Sequence, residues 1–419
     1  MQEEKIYFVI DMNTFFASVE CAERGLNPFD TLLVVADEAS GKSPICLAIS
    51  PKMKKLGVKN RCRLGDIPAR LKYIIAKPRM KKYIEYATEI YGIYLDYIDS
   101  SDIHVYSIDE CFLDVTDYLK LYNLSARELA KKFIDQIWEK LKIPASVGIG
   151  TNLFLAKIAL DLVAKNAPDR VFFLDENLFK QRFSRHRPIT DFWQISDGIK
   201  NRLERLGILT LYDITQADEK VLYDEFGVNA ELLIDHAHGQ ESCTMADIKA
   251  YKTKNKSLNH SQILSKGYNV KDALVITREM AQALCYEMQK NSLVTNQIFL
   301  ELTYEKRSVK NSKARKNLEA TTNLSSIIDK AFIMLFNEIA RRDELIRKIS
   351  VSFFNIQDEK FEQYDMFADM KKIKKEKSLS KSILSVQEKF GKNSILKGRD
   401  FFENATQRER NQKIGGHSE

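Results

Sequence analysis

Apolar and polar residues follow two periodic patterns along the first 175 residues, one typical of buried strands and one typical of helices. Short runs rich in β-branched and aromatic residues predict strands at 4–11 (EKIYFVID), 31–37 (TLLVVAD), 106–115 (YSIDECFLDV) and 144–150 (PASVGIG). Longer stretches with apolar residues three and four apart predict helices around 15–19, 80–98, 126–142 and 154–165. Strands alternating with helices indicate an α/β or α+β domain.

The pattern changes near residue 185, where short helical stretches replace strands. Residues 188–218 resemble a helix–hairpin–helix, whose backbone N–H groups contact a DNA phosphate. The hairpin has a single glycine, Gly198, with Ser196 and Asp197 before it, so a small helical packing domain is an equal alternative. A hinge-like segment at 248–262 leads to a second α/β region, with strands around 296–305 and 346–356 and helices around 270–290 and 324–342.

Composition is that of a globular protein with several cores, since 44% of the 419 residues are hydrophobic. The net charge of +7 is unevenly placed: residues 249–316 hold 14 Lys and Arg against 5 Asp and Glu, which is +9 and leaves −2 elsewhere. Such an excess is typical of a polyanion-binding region, although a solvated linker face gives the same count. The six cysteines form no CxxC pair and are interpreted as core residues. With no signal peptide and no long apolar run, we expect a cytoplasmic protein without a membrane partner.

Three carboxylates stand at or within the predicted strands, namely Asp11, Asp109 and Glu110. Buried carboxylates need a cationic partner, and a pair of Mg²⁺ ions prefers such oxygens and supports phosphoryl transfer. On strand geometry Asp109 and Glu110 point to opposite faces, so they share a site only if the strand bends or ends there. The alternative is a pair of surface carboxylates at a sheet edge.

Several motifs resemble, in order and spacing, those of Y-family translesion DNA polymerases, and most closely the bacterial UmuC-like (ImpB/MucB/SamB) branch. They are IDMNTFFASVE, SPKMKKLGVK, YSIDECFLDV, SVGIGTNLFLAKIALD and RERNQKIGGH. The resemblance implies a right-hand polymerase of α/β (α+β) class with a ferredoxin-like palm sheet, small fingers, a helix–hairpin–helix thumb and an α/β little finger. The implied domains are palm (1–22 and 83–175), fingers (23–82), thumb (176–247), little finger (248–358) and C-terminal tail (359–419).

The resemblance also implies roles for matching residues. Asp11, Asp109 and Glu110 would be catalytic and bind two Mg²⁺ ions, with the backbone carbonyl of Met12 as a further metal ligand. The implied nucleotide-binding residues are Met12, Phe16, Lys54 and Lys157, with Phe16 excluding the sugar 2′-OH and the lysines binding the triphosphate. Taken alone, Phe16 fits a core position and each lysine an ordinary solvated one. Thr14 and Pro51 stand where tyrosines often occur, which leaves the contacts there open.

A short motif at 361–367 (FEQYDMF) resembles the peptide by which bacterial polymerases bind the sliding clamp. Its clamp-binding residues would be Gln363, Met366 and Phe367, whose apolar anchors suit a groove. The alternative is an aromatic segment docked on its own domain. The other implied partners are primer–template DNA, a deoxynucleoside triphosphate (dNTP) and a UmuD-like protein.

The function implied is error-prone translesion synthesis by a DNA-directed DNA polymerase in DNA repair and the SOS response. A nucleotide cyclase would also combine a palm-like sheet with paired acids, but it has no use for the basic region. The alternative outside the enzymes is a catalytically inactive DNA-binding accessory protein of the damage response. Such a protein would not require Asp11, Asp109 and Glu110.

Overall fold

The chain divides into two compact units, one ending at Tyr251 and the other beginning at Lys252. The structure, a computed structural model, describes residues 5–38, 43–253, 256–361 and 369–418. Gln363, Met366 and Phe367 lie outside these ranges. Both units combine sheets and helices, which confirms the predicted α/β class. Within the described ranges, no helix has the length and apolar content that a membrane crossing requires.

Eight strands lie in the described part of the first unit. They are β1 Tyr7–Met12, β2 Leu33–Val35, β3 Ala48–Ile49, β4 Ile74–Ala76, β5 Ile103–Val105, β6 Glu110–Asp114, β7 Ala145–Gly150 and β8 Val171–Leu174. Five form one sheet in the order β5-β6-β1-β7-β8, and the short strands β3-β2-β4 form a second. Strand β1 is antiparallel to both neighbours, whereas β7 and β8 are parallel.

Twelve α-helices complete the described part of this unit. They are α1 Phe15–Ala22, α2 Pro51–Lys55, α3 Met80–Leu95, α4 Thr116–Tyr122, α5 Ala126–Leu141, α6 Leu153–Ile158, α7 Glu176–Arg182, α8 Asp197–Arg205, α9 Leu211–Gln216, α10 Glu219–Phe226, α11 Asn229–His238 and α12 Met245–Ala250. Helices α8 to α11 lie in the helical stretch expected from residue 185 onward, and α7 precedes it. Helix α8 follows Ser196, whose side chain accepts no capping hydrogen bond.

The five-stranded sheet and α6 approach each other closely. A Cβ atom added to Gly148 would lie 2.1 Å from the carbonyl oxygen of Ala156, and one added to Gly150 would lie 2.2 Å from its nitrogen. Both distances are far below any van der Waals contact, so β7 tolerates only glycine at these positions. This close approach holds the start of the helix firmly against the strand.

The helix predicted at 154–165 is not continuous. After α6 the backbone widens to a π-helical turn at Ala159–Val163 and then tightens to a 3₁₀ turn at Ala164–Asn166. π-helical turns are rare and occur often at functional sites. This segment carries Lys157, Asp161 and Lys165, whose contacts are described below.

The strand predicted at 106–115 is shorter than expected, because it begins only at Glu110. The N–H groups of Tyr106 and Ser107 both donate to the carbonyl oxygen of Glu110, which forms a turn instead of a ladder. Asp109 therefore precedes the strand, and Glu110 is its first residue. Because the strand begins between them, Asp109 and Glu110 can face the same site.

The second unit has a five-stranded antiparallel sheet, in which four strands follow the order β11-β10-β12-β9 and β13 pairs with β10. Its strands are β9 Leu258–Tyr268, β10 Leu293–Tyr304, β11 Ser312–Thr322, β12 Ile346–Phe354, β13 Gln357–Asp358, β14 Lys413–Ile414 and β15 His417–Ser418, and its helices are α13 Val270–Lys290, α14 Ser325–Ile339, α15 Met370–Phe390 and α16 Gln407–Arg410. The buried apolar residues of α13 and α14 pack against those of the sheet.

The C-terminal residues of the second unit contact α13 and α14 largely through polar groups. Glu376 accepts hydrogen bonds from the backbone N–H and the hydroxyl of Ser326, at 2.9 and 2.6 Å. Arg399 pairs with Asp329 at 3.3 Å. Thr406 donates its N–H to the buried carboxylate of Glu279 at 3.1 Å. The described part of the stretch expected as a tail is thus folded onto this unit.

Candidate active site

The three candidate carboxylates lie together at one end of the five-stranded sheet of the first unit. Asp11 and Glu110 are directly opposed across the β1–β6 pair. The N–H of Met12 donates to the carbonyl oxygen of Asp109 at 2.9 Å, which fixes the residue before β6 beside the end of β1. The hydroxyl of Ser107 donates to the Asp109 carboxylate at 2.6 Å. The sheet register thus brings Asp11 to Asp109 and Glu110, which are adjacent in the sequence.

Two lysines from the segment after β7 neutralise part of the cluster. The Lys157 ammonium lies 2.7 Å from Glu110 and 3.0 Å from Asp161, and the Lys165 ammonium lies 3.2 Å from Asp11 and 2.9 Å from Asp161. The three residues of this segment are four apart, so they share one face of it. Together, Asp11, Asp109, Glu110 and Asp161 supply four negative charges against two positive ones, which leaves the cluster at −2.

Burial shapes the acidity of the cluster. It raises the pKa of the Asp11 carboxyl, and the nearby Lys165 opposes that rise without cancelling it. The pKa of Glu110 is raised in the same way, with Lys157 opposing. The Oε1 atom of Glu110 is buried and has no hydrogen-bond partner among the described residues. A buried carboxylate oxygen without a partner is costly, and a cation is the partner that would satisfy it.

The acids fit divalent-cation chemistry by type, because carboxylate oxygens are the ligands that Mg²⁺ prefers. In the described residues, however, no three His, Cys, Asp or Glu side chains already converge as a finished metal site. Here Asp11 and Glu110 are instead paired with Lys165 and Lys157. A metal at this position would therefore take over carboxylate oxygens that the lysines now hold.

A cavity of about 620 Å³ opens beside the cluster. Its wall includes Asp11, Met12, Phe16 and Asp109. It also carries five cationic side chains, which are Lys54, Lys55, Arg61, Lys165 and Arg170. Five positive charges against two carboxylates favour a polyanionic ligand, and the volume is within the range of small-molecule sites.

Phe16 forms part of the cavity wall and is also packed from behind. Its ring stacks on Tyr83 with centroids 4.4 Å apart and planes at 15°. The Tyr83 hydroxyl donates to the fully buried Glu20 at 2.9 Å, and Glu20 is held by Arg79 and Arg24. Phe16 is thus a partly buried residue in the cavity wall, and exclusion of a sugar 2′-OH by its ring stays a prediction.

The other residues predicted for the site fall into two groups, those that line the cavity and one that contacts the acidic cluster instead. Lys54 lines the cavity, as does Met12, whose side chain is buried. Lys157 is 6% exposed and directs its ammonium at Glu110 and Asp161. Thr14 lines the cavity with a left-handed backbone (φ 49°), and Pro51 lines it from the first turn of α2.

Sequence reasoning missed four of the five cations of the cavity. For Lys165 a signal was present, since Lys157, Asp161 and Lys165 recur at spacings of four, which marks a common helix face. Lys55, Arg61 and Arg170 carry no such local signal. Only the fold brings them to one cavity.

One face of the sheet in the second unit offers a surface suited to nucleic acid. Arg315 and Lys313 lie on β11 opposite Phe299 and Glu301 of β10. The guanidinium of Arg315 stacks over Phe354 at 4.5 Å. Hydroxyl and amide side chains surround them, including the Asn259–Ser352 and Gln297–Asn317 hydrogen-bonded pairs. Such a mixture of cations, amides and aromatic rings is typical of surfaces that bind phosphates without reading sequence.

Comparison with known proteins connects both units to one family. The impB/mucB/samB family matches residues 10–161, and the C-terminal domain of that family matches residues 255–366. A relative from Bacillus subtilis (strain 168), UvrX, named provisionally as a UV-damage repair protein, is 28% identical over 97% of this chain and 96% of its own length. A protein named DNA polymerase IV 2 from Halalkalibacterium halodurans is 27% identical over 99% of both chains.

The fold is likewise similar to that of a solved protein, a Y-family DNA polymerase chimera. The TM-score is 0.66, with 24% identity over 84% of this chain and 99% of the chimera. At this identity the likeness concerns the fold, and it agrees with the two family matches. The chain belongs to the impB/mucB/samB family, the UmuC-like branch of the Y-family DNA polymerases.

Proposed function

We propose that this chain, a DNA-directed DNA polymerase by family, adds deoxynucleotides to a primer 3′-OH by phosphoryl transfer assisted by two Mg²⁺ ions. The observation that carries the proposal is the cluster of Asp11, Asp109 and Glu110 at the edge of a cavity with five cations. Polymerase relatives are consistent with DNA and nucleotide substrates. We further propose translesion synthesis during DNA repair and the SOS response as its cellular role.

In this mechanism Asp11, Asp109 and Glu110 would hold the cations, with the backbone carbonyl of Met12 as a further ligand. When bound, divalent cations supply the charge that activates an attacking hydroxyl and stabilises a leaving phosphate oxygen. The protein itself would orient the reactants, because positioning and charge stabilisation account for most of the catalysis of phosphoryl transfer.

Several residues in the cavity wall and behind it have a corresponding task. Lys54 and Lys165 would bind the triphosphate as point charges. Phe16, fixed by its stack on Tyr83, would meet the sugar and exclude a 2′-OH. Lys157 would hold Glu110 and Asp161 in place, and its direct contact with the triphosphate remains a prediction.

Tolerance of damaged templates would follow from the small size of the fingers. Their sheet consists of β2, β3 and β4, which are three, two and three residues long. Such a small subdomain would enclose the nascent base pair loosely. Binding of the sliding clamp through Gln363, Met366 and Phe367, and binding of a UmuD-like partner, likewise stay predictions.

Primer extension tests the proposal. A labelled primer is offered on an undamaged template and on one with an abasic site, with Mg²⁺, to the unaltered chain and to Asp109→Asn. We expect extension by the unaltered chain and a loss of about 10²- to 10³-fold in Asp109→Asn, because a group that stabilises transition-state charge is removed. Asp96→Asn, a substitution at a side chain 62% exposed in the same unit, serves as the matched control and should extend normally.

DNA binding is measured in parallel by fluorescence anisotropy. If neither the unaltered chain nor the control extends the primer while both bind it, the accessory-protein interpretation replaces the proposal. Equal extension by Asp109→Asn and Asp96→Asn would remove the acidic cluster from the mechanism.

A further inference from the structure

Arg170 has a strained backbone at the edge of the candidate active site. It stands immediately before β8 with φ at +57°, a region that bulky side chains rarely adopt. Its carbonyl oxygen accepts a hydrogen bond from the N–H of Val147 at 2.8 Å, so the conformation is fixed by the sheet. The sheet therefore fixes the backbone from which the Arg170 side chain extends to the cavity.

The guanidinium of Arg170 is partly buried without an anionic partner. Its Nη1 atom is buried and makes no hydrogen bond within the described chain, and no carboxylate there lies within ion-pair distance of it. Burial lowers the pKa of this guanidinium. Two other enclosed arginines are paired, since Arg399 lies 3.3 Å from Asp329 and Arg79 lies 2.9 Å from Glu20. Arg347 also has a buried Nη1 atom without a hydrogen-bond partner among the described residues, but it belongs to the second unit and does not line the cavity.

What Arg170 does contact is an aromatic ring. Its guanidinium lies 4.4 Å from the centroid of Phe29, which packs at 6.0 Å against Trp138. The ammonium of Lys55 lies 5.9 Å from the same ring. Arg170 and Lys55 thus share one apolar support, which holds two cations at the cavity without neutralising either.

The position of Arg170 identifies the missing anion. Arg170 lines the same cavity as Lys165 and Asn166, on the segment that follows the acidic cluster. A desolvated cation without a counter-ion is costly, and a ligand phosphate arriving in the cavity would remove that cost. The planar guanidinium is suited to binding phosphate through two N–H groups at once.

We propose that Arg170 binds a phosphate group of the incoming dNTP, as a nucleotide-binding residue in addition to Lys54 and Lys165. This inference rests on the proposed polymerase function. A purely structural stack on Phe29 would leave the charge of Arg170 buried and unpaired. A phosphate of the DNA backbone has the same chemistry, and the experiment separates the two sources.

The test uses Arg170→Gly, in which loss of the guanidinium comes with relief of the backbone strain, so the variant should fold at least as well. Lys142→Gly is the matched control, because Lys142 is exposed, has φ at +59° and also carries one positive charge. Arg170→Lys is the conservative variant, which keeps the charge but loses the planar fork. For each protein, single-turnover extension gives the apparent Kd for the dNTP, and anisotropy gives the Kd for primer–template DNA.

Arg170→Gly should weaken the apparent Kd for the dNTP by about 10- to 100-fold, the range for a charge-assisted hydrogen bond. Its DNA affinity should match that of Lys142→Gly, and Arg170→Lys should fall between Arg170→Gly and the unaltered chain. Thermal stabilisation by a dNTP, but not by the deoxynucleoside monophosphate, should also decrease in Arg170→Gly.

Three outcomes would overturn the inference: an unchanged Kd for the dNTP, a loss confined to DNA affinity, or an equal loss in Lys142→Gly. Failure of the unaltered chain to extend any primer would instead overturn the proposed function. In that case the thermal measurement would still report whether Arg170 recognises a triphosphate.

Discussion

Lys157 is expected to be essential for the folded state of the acidic cluster, and Lys157→Met tests this. The substitution keeps the apolar stem but removes an ammonium 2.7 Å from Glu110, where both side chains are 8% exposed. At an effective dielectric constant of about 20 the Coulomb energy of such a pair is ~6 kcal/mol before desolvation. Removing one partner of a buried pair costs about 3–5 kcal/mol, because the other charge stays buried. We expect the free energy of unfolding to fall by an amount near the lower end of this range, because Glu110 can take up a proton and so lose its charge.

Urea denaturation in the presence of a chelator measures this loss. Trp138 and Trp193 are the two tryptophans of the sequence and both belong to the first unit, so their fluorescence reports that unit alone. Lys200→Met is the control, because Lys200 and Glu204 form a partly exposed pair at 3.6 Å, worth about 0.3–0.5 kcal/mol. Pairing Lys157→Met with Glu110→Gln should restore most of the stability. Equal losses in Lys157→Met and Lys200→Met would refute the reasoning.

Two further predictions concern the wall of the cavity and the network behind it. Phe16→Ala should raise the kcat/KM for ribonucleotides relative to deoxyribonucleotides by roughly 10- to 200-fold, the range for reshaping an apolar contact, and an unchanged ratio in single-nucleotide incorporation would contradict this. For Glu20, burial would raise the pKa of the carboxyl, but hydrogen bonds from Arg79, Arg24 and Tyr83 outweigh it and lower the pKa. Its stabilising contribution is therefore complete above the unfolded value of 4.5 and is lost as the pH falls through the lower folded value. Accordingly, Glu20→Gln should flatten the acid side of the Tm–pH curve measured by tryptophan fluorescence, and an unaltered curve would refute the assignment.

The local sequence pattern predicted an element correctly where that element contained its own signals, such as a helix-capping residue. The helix predicted at 270–290 was confirmed as Val270–Lys290. It begins there because the side chain of Asn269 accepts a capping hydrogen bond from the N–H of Asp272 at 2.9 Å. Strands β9 and β11 were missed. Residues of β11 alternate between partly buried and exposed positions, but its sequence, SKARKNLEATT, is too polar to show the apolar period.

Features that depend on distant residues could not be predicted from local pattern. The position of Asp109 beside the end of β1 depends on a hydrogen bond from the N–H of Met12 to its carbonyl oxygen. The position of Asp11 opposite Glu110 depends on strand register. Arg170 reaches the cavity only because β8 pairs with β7 and Phe29 supports the guanidinium. None of these relations has a fixed spacing in the sequence.

The two uncompensated negative charges of the acidic cluster link folding to the ionic composition of the surroundings. Folding gathers Asp11, Asp109, Glu110 and Asp161 around the paired Lys157 and Lys165, so the native state offers a cation several carboxylates that the unfolded chain does not hold together. Any cation that binds only the native cluster lowers the free energy of that state by mass action. The half-life of the folded chain would then increase with the concentration of free divalent cation. Cation binding would prepare the site for chemistry and would also protect the chain from proteolysis.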